Sequence, residues 1–334
     1  MKKKYLPILL LLISTECVIG GIAILKIYKE RKLDKNVLSA VTVVPVKKNS
    51  ISLSPTNQMK YYYEPIANTR QTDRADWMDY DIVYTINSDT LNDRYDYSIS
   101  KPPGTFRIIA LGDSFTFGVY VNTENAWPKV LEDLFQEHPI CKAVKRVEVI
   151  NLGVEGYDVQ YIAHRFKTRG VKYNPDLIIW FESGSGFDRY NELLLQKVEE
   201  YKNSFSQEDI LKYRKEGVYY PGYQKAYEEF HASYSQEKID QLLRPFWDDF
   251  FVSRGNTPVV LATFSTISPE NKVKLFALAA KQKNVFVMDA VPDINSLGGI
   301  LFDTHPNERG HVLIAQALND YFRQSPLNPC TKNN

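Results

Sequence analysis

Five short segments constrain the fold of this chain more than any other feature: Arg107–Leu111, Val147–Asn151, Leu177–Phe181, Val259–Thr263 and Val285–Asp289. Each is rich in Val, Ile or Leu and lacks the strict polar–apolar alternation of a strand with one wet face. Strands that are apolar on both sides belong in a parallel sheet covered by helices above and below. The intervening stretches supply those helices. Trp127, Val130, Leu131, Leu134 and Phe135 fall at i, i+3, i+4, i+7 and i+8, one stripe of a helix. Another helix is predicted from about Pro269 to Lys283, and a last one after Asn307, with Val312, Leu313, Ala315, Leu318 and Phe322 as its apolar stripe. The pattern predicts a three-layer α/β domain over 106–325 with a five-stranded parallel sheet. Within it, 187–255 reads as a charged, Tyr-rich insertion enlarging the crossover between the third and fourth strands. Its helical runs include Glu192–Tyr201 and Glu237–Phe251, and 326–334 is a tail.

The N-terminus reads differently. Lys2, Lys3 and Lys4 precede an apolar run from Tyr5 to Leu25, and Lys26, Lys29, Arg31 and Lys32 follow it. A run of this length spans the hydrocarbon core of about 30 Å at roughly 1.5 Å per residue. Glu16 within it costs about 2.5–3.5 kcal/mol, which the remaining apolar residues absorb. Residues 1–33 are expected to be a cytoplasmic stub and a single-pass transmembrane anchor, with a cleaved signal peptide as the alternative and an orientation that the nearly balanced flanking charges leave open, and 34–58 a polar linker. Residues 59–105 form a lead-in that packs on the domain, with β-like pieces such as Ile82–Ile86. Its many aromatics suit either edge packing or sugar binding. With 41 Lys and Arg against 40 Asp and Glu, the net charge of +1 excludes the broad basic surface of a nucleic-acid binder. Three cysteines cannot make a disulfide-dense miniprotein, and no Cys/His cluster has zinc spacing.

Ligands of open parallel sheets bind beyond the carboxyl ends of the strands. There the sequence places Gly112-Asp113-Ser114, Asn151-Leu152-Gly153, Glu182-Ser183-Gly184-Ser185-Gly186 and, past the fifth strand, Asp303-Thr304-His305-Pro306-Asn307. A serine, an imidazole, a carboxylate and backbone amides are the parts of nucleophilic acyl transfer. Ser114 is the candidate nucleophile and His305 its base. Asp303, two residues earlier, is the group that fixes the imidazole tautomer. The amides of Ser114 and Gly153 are the expected oxyanion donors.

These blocks resemble the SGNH (GDSL) hydrolase family from Phe106 to about Phe322. Gly112-Asp113-Ser114 looks like the family's first block, Asn151-Leu152-Gly153 like its second, and His305-Pro306-Asn307 with Gly310-His311 like its last. The lead-in Lys101–Arg107 is similar to that of membrane-anchored bacterial members. The resemblance implies a flavodoxin-like fold and esterase, lipase or acyl-transfer chemistry without metal or cofactor. Two departures stand out. The third block normally offers Gly-x-Asn-Asp, whose asparagine is a third oxyanion donor; here Gly184-Ser185-Gly186 stands instead, leaving Ser185, or a group such as Asn191, to replace it. The acid usually precedes the histidine by three residues, where this chain has Phe302.

The other histidines are expected to be structural: His311 inside the last helix, His138, His164 and His231 on the surface or in helices. Glu182 and Asp188 read as solvated loop charges near the site. Cys141 and Cys330 each follow a helix that starts at the site edge, so both fall at the opposite edge, where a disulfide would suit an extracytoplasmic domain. The reading is a serine esterase at the plasma membrane, acting on small acyl esters such as acetylated cell-envelope glycan. An O-acyltransferase using a sugar acceptor, and a non-catalytic glycan-binding protein on a hydrolase fold, stay open as alternatives.

Overall fold

The computed structural model describes residues 51–53, 59–215 and 220–330. The expected membrane helix and most of the linker lie outside them. No helix among the described residues is long and apolar enough to cross a membrane. Nine strands are described: β1 (Ile51–Leu53), β2 (Tyr63–Pro65), β3 (Thr69–Asp73), β4 (Ile82–Ile86), β5 (Thr105–Leu111), β6 (Arg146–Asn151), β7 (Leu177–Glu182), β8 (Val259–Phe264) and β9 (Val285–Val291). The α-helices are α1 (Ser114–Phe117), α2 (Trp127–Glu137), α3 (Val159–Arg165), α4 (Asn191–Tyr201), α5 (Gln207–Lys215), α6 (Pro221–Ser233), α7 (Gln236–Ser253), α8 (Pro269–Ala280) and α9 (Glu308–Gln324).

Strands β5–β9 form one parallel sheet in the order β6-β5-β7-β8-β9. The chain moves from β5 to one side, then returns to the other side at β7. The loops after β5 and β7 therefore diverge and open a crevice at the carboxyl edge. Side chains of a strand alternate between faces, and this sheet buries both. Ile109, Leu111, Ile178, Trp180 and Leu261 pack with Phe166, Trp247 and Phe250 on one face. Ile108, Ala110, Ile179, Phe181 and Val260 pack with Trp127, Leu131, Ile314 and Phe322 on the other. Trp180 stacks on Trp247 with ring centroids 4.3 Å apart. Helix α7 is thus the helix that covers the sheet between β7 and β8, not part of an insertion. The added elements of that crossover are α4, α5 and α6. Helix α3, which opens on the Asp158 cap and runs on through a π turn at Phe166–Gly170, has no counterpart among the helices read from the sequence.

The lead-in is integral to the domain. Met78, Ile82, Tyr84 and Ile86 pack against Phe117 and Val119, next to α1. Charges buried by the sheet and helices find partners in it. Arg107, wholly buried on β5, donates to Glu148 Oε2 at 2.7 Å and to the Ser98 carbonyl at 2.9 Å. Lys129 of α2, also wholly buried, lies 3.0 Å from Asp93 and donates to the Tyr97 hydroxyl at 2.7 Å. Arg165 of α3 donates to Glu64 at 2.8 Å. Removing one partner of such a buried pair leaves an uncompensated charge, at a cost of about 3–5 kcal/mol. At the edge opposite the crevice, Cys141 and Cys330 form a disulfide across 189 residues of sequence.

Candidate active site

The first turn after β5 is built around one residue without a side chain. A Cβ on Gly112, at φ +157, would stand 2.2 Å from Thr116 Oγ1 and 2.8 Å from the Phe181 carbonyl. The sharp turn this permits ends in Asp113, which caps α1 by accepting from the Phe115 N–H at 3.0 Å. Ser114 is therefore the first residue of the helix, where a backbone N–H has no intrahelical acceptor.

His305 meets it from the far side. Its Nε2 lies 2.9 Å from Ser114 Oγ, and its Nδ1 lies 2.8 Å from Asp303 Oδ2. The other Asp303 oxygen accepts the His305 backbone N–H at 3.2 Å. The loop that carries both is closed tightly: Thr304 has φ +74, Leu301 N–H donates to the His305 carbonyl at 2.8 Å, and Thr304 N–H donates to Leu301 at 3.1 Å. A threonine in the left-handed region is strained, and here the strain lies between the acid and the base. Burial alone would lower the His305 pKa. The hydrogen bond and charge of Asp303, with Glu155 and Asp113 farther off, outweigh it and hold the imidazole above its ordinary value.

The expected oxyanion donors fare unequally. Ser114 N–H makes no hydrogen bond among the described residues. Gly153 N–H, by contrast, donates to Asn151 Oδ1 at 3.0 Å. A Cβ on Gly153 would lie 2.4 Å from the Phe117 nitrogen, so this glycine packs beneath the nucleophile turn. Its assignment as a donor is corrected accordingly. Three residues on, Gly156 has φ +74 and an N–H that no described residue engages. Its carbonyl accepts from Asn191 Nδ2 at 2.7 Å, which fixes the peptide plane that follows it. Asn191 thus spends one side-chain N–H on orienting a loop.

Ser185 is likewise corrected. Its hydroxyl donates to Asp113 Oδ2 at 2.9 Å, beside the Ser183 hydroxyl at 2.6 Å. Glu182 is not a solvated loop charge but is buried at the end of β7. Its Oε1 accepts from the Gly184 and Gly186 N–H groups, each at 2.9 Å. Burial, and then the nearby Asp113 charge, push its pKa up to about 7. The loop after β7 therefore spends its donors on Asp113 and Glu182. Above it lies Arg189, a residue without a role in the sequence reading. Its Nη2 donates to the Tyr157 carbonyl at 3.0 Å and reaches Ser185 Oγ at 3.3 Å, while its buried Nε has no hydrogen-bond partner among the described residues. Asp188 accepts from the Tyr227 hydroxyl at 2.8 Å.

His311 is wholly buried and its Nδ1 accepts from the Trp127 N–H at 3.1 Å. Burial pushes its pKa down to about 3, so it is a neutral structural residue. Among the described residues, no group of three or more His, Cys, Asp and Glu side chains is placed to hold a metal ion. A cavity of about 540 Å³ lined by Phe135, Ile140, Val144 and Arg146 lies at the amino-terminal edge of the sheet and touches none of the residues above.

Residues 110–313 match the model of the GDSL-like lipase/acylhydrolase family. No curated protein matches the chain. Among solved structures, the esterase EstA from Pseudoalteromonas sp. is 14% identical, with 65% of this chain and 97% of that one covered and a TM-score of 0.41. A member of the lipolytic protein G-D-S-L family from Veillonella parvula is 20% identical over 66% and 100% of the two chains, with a TM-score of 0.35. A family 3 carbohydrate esterase from Clostridium thermocellum is 18% identical over 65% and 95%, at 0.38.

Proposed function

The chain belongs to the GDSL-like lipase/acylhydrolase family and is an ester hydrolase, and from that premise we propose that it works through an acyl-enzyme on Ser114, with His305 as base and Asp303 as its partner. The observation that carries this reading is the unbroken relay Ser114 Oγ–His305 Nε2–Asp303, with both hydrogen bonds below 3 Å. Asp303 holds the proton on Nδ1, so Nε2 is free to accept the serine proton as Oγ attacks the ester carbonyl. The charge developing on the carbonyl oxygen faces the N–H groups of Ser114 and Gly156, each such donor contributing about 3–4 kcal/mol. The Arg189 guanidinium adds positive charge on that side, where the loop after β7 has none to spare. Collapse expels the alcohol, which leaves with the proton from Nε2. Water, deprotonated by the same imidazole, then attacks the acyl carbonyl; the acid departs and Ser114 regains its proton.

The substrate is an acyl ester of a cell-envelope glycan, and the enzyme stands outside the plasma membrane on its N-terminal anchor. The apolar run from Tyr5 to Leu25 supports the anchor. The Cys141–Cys330 disulfide supports an oxidising compartment. The test is hydrolysis of p-nitrophenyl acetate and longer esters by the full-length protein, beside Ser114→Ala and His305→Ala. Loss of turnover in both, and of fluorophosphonate labelling in the serine variant, is expected. A wild type that neither turns over nor labels would leave a binding protein on a hydrolase fold.

A further inference from the structure

A serine hydrolase returns the catalytic proton to the leaving group, so the alcohol oxygen of the substrate must come to lie at His305 Nε2. Whatever surrounds His305 on the open side therefore meets the alcohol half of the ester, not the acyl half. In this protein the surroundings are aromatic. Tyr120 packs edge-on to His305 with centroids 5.8 Å apart, Trp77 packs edge-on to Tyr120 at 5.3 Å, and Phe302 lies 6.2 Å from Trp77. Phe302 is 69% exposed, so the outer ring of this series is open to a ligand.

The arrangement is built by three separate parts of the chain. Tyr120 sits at φ +63, and its N–H donates to the Tyr84 hydroxyl at 2.7 Å, which holds the residue in that strained conformation. Trp77 comes from the turn between β3 and β4, and Phe302 from the loop of the triad itself. Carboxylates accompany the rings: burial, and then neighbouring groups that include Glu155, Asp73 and Asp303, holds the Tyr120 hydroxyl well above its ordinary pKa. Asp73 and Glu155 are exposed.

We propose that Trp77, Tyr120 and Phe302 form the subsite for the alcohol half of the ester, and that this half is an uncharged sugar ring. A pyranose has an apolar C–H face that lies on aromatic rings and a rim of hydroxyl donors that carboxylates accept. A lipid alcohol would use the rings but not the acids, and an acidic sugar would be repelled by them. The inference rests on the esterase reading above, because only proton return by His305 assigns this wall to the alcohol.

The experiment compares kcat/KM for acetylated neutral oligosaccharides with that for ethyl acetate, in the full-length wild type, Phe302→Ala and Trp77→Phe and Trp77→Ala variants. Phe302→Ala and Trp77→Ala should lose roughly five- to thirtyfold on the sugar ester, mostly in KM, and stay within twofold on ethyl acetate. Trp77→Phe should keep most of the sugar activity, and fluorophosphonate labelling of Ser114 should be unchanged throughout. Binding of the deacetylated oligosaccharides to Ser114→Ala, read by tryptophan fluorescence, should disappear when Trp77→Ala is added. Equal losses on both esters, or undiminished sugar ester turnover in the ring variants, would overturn the subsite. Sugar binding that depends on Trp77 in a wild type without turnover would overturn the esterase reading and with it the assignment to an alcohol half, leaving a sugar-binding wall.

Discussion

The Asp303→Asn variant probes the relay most directly, because it removes a charge while keeping the shape of the side chain. In the wild type a carboxylate oxygen lies 2.8 Å from His305 Nδ1, and both side chains are 22% exposed. A full positive charge appears on the imidazole only as Ser114 gives up its proton, so the carboxylate stabilises the transition state more than the resting enzyme. Two unit charges about 4 Å apart attract by about 1 kcal/mol in water and about 4 kcal/mol at an effective dielectric of about 20. A partly exposed pair falls between these limits and toward the second. At 1.4 kcal/mol per decade, kcat/KM should fall by about 10²- to 10³-fold. The pH profile carries the sign. Activity requires neutral His305, so it rises with pH through the His305 pKa, which Asp303 holds above the usual histidine value. Without that carboxylate, burial dominates, and the acid limb of the profile should move to lower pH. The assay is ester hydrolysis from pH 4 to 9 with wild type and variant in parallel. A loss smaller than threefold, or an acid limb shifted to higher pH, would refute the assignment of Asp303.

Two further outcomes are expected. Gly156→Ala places a Cβ 2.6 Å from the Tyr63 hydroxyl at a backbone φ of +74; it should lower kcat for ester hydrolysis by about 10²-fold or more, while Gly156→Ala protein still melts cooperatively in circular dichroism. Replacing Cys141 and Cys330 by serine together opens a loop of 189 residues of sequence separation and should cost about 2–5 kcal/mol in denaturant unfolding, with reductant lowering the stability of the wild type but not of the variant.

How legible the site was depends on what kind of signal each part carries. The five strands read within a few residues of their observed ends because a segment buried on both faces must be apolar throughout. The relay was legible because its residues sit at strand ends in an order that leaves them one edge to share. Gly153 and Gly156 were not separable by sequence. Both lie in one loop after β6, and only the Asn151 side chain, by taking up the Gly153 N–H, decides which amide is left over. Ser185 failed as a donor for a similar reason: the same hydroxyl that would serve an oxyanion satisfies Asp113 instead. Helix α3 escaped notice because polar residues such as Gln160, His164 and Arg165 interrupt its apolar stripe. Two of these are buried, and Arg165 is tolerated because Glu64, about a hundred residues earlier in the chain, neutralises it while Thr90 and the Leu152 carbonyl accept its other N–H groups. The length of α7 was legible but its role was not, since nothing local distinguishes a helix that covers a sheet from one that decorates a crossover.

The lead-in supplies one member of the proposed wall beside His305, Trp77, from outside the segment that carries the chemistry. Trp77 precedes the region matched by the family, 110–313, whereas the nucleophile, acid and base all lie within it. On the proposed reading, substrate preference could be retuned at Trp77 in the hairpin tip between β3 and β4, provided Met78 keeps its packing against Phe117 of the nucleophile helix.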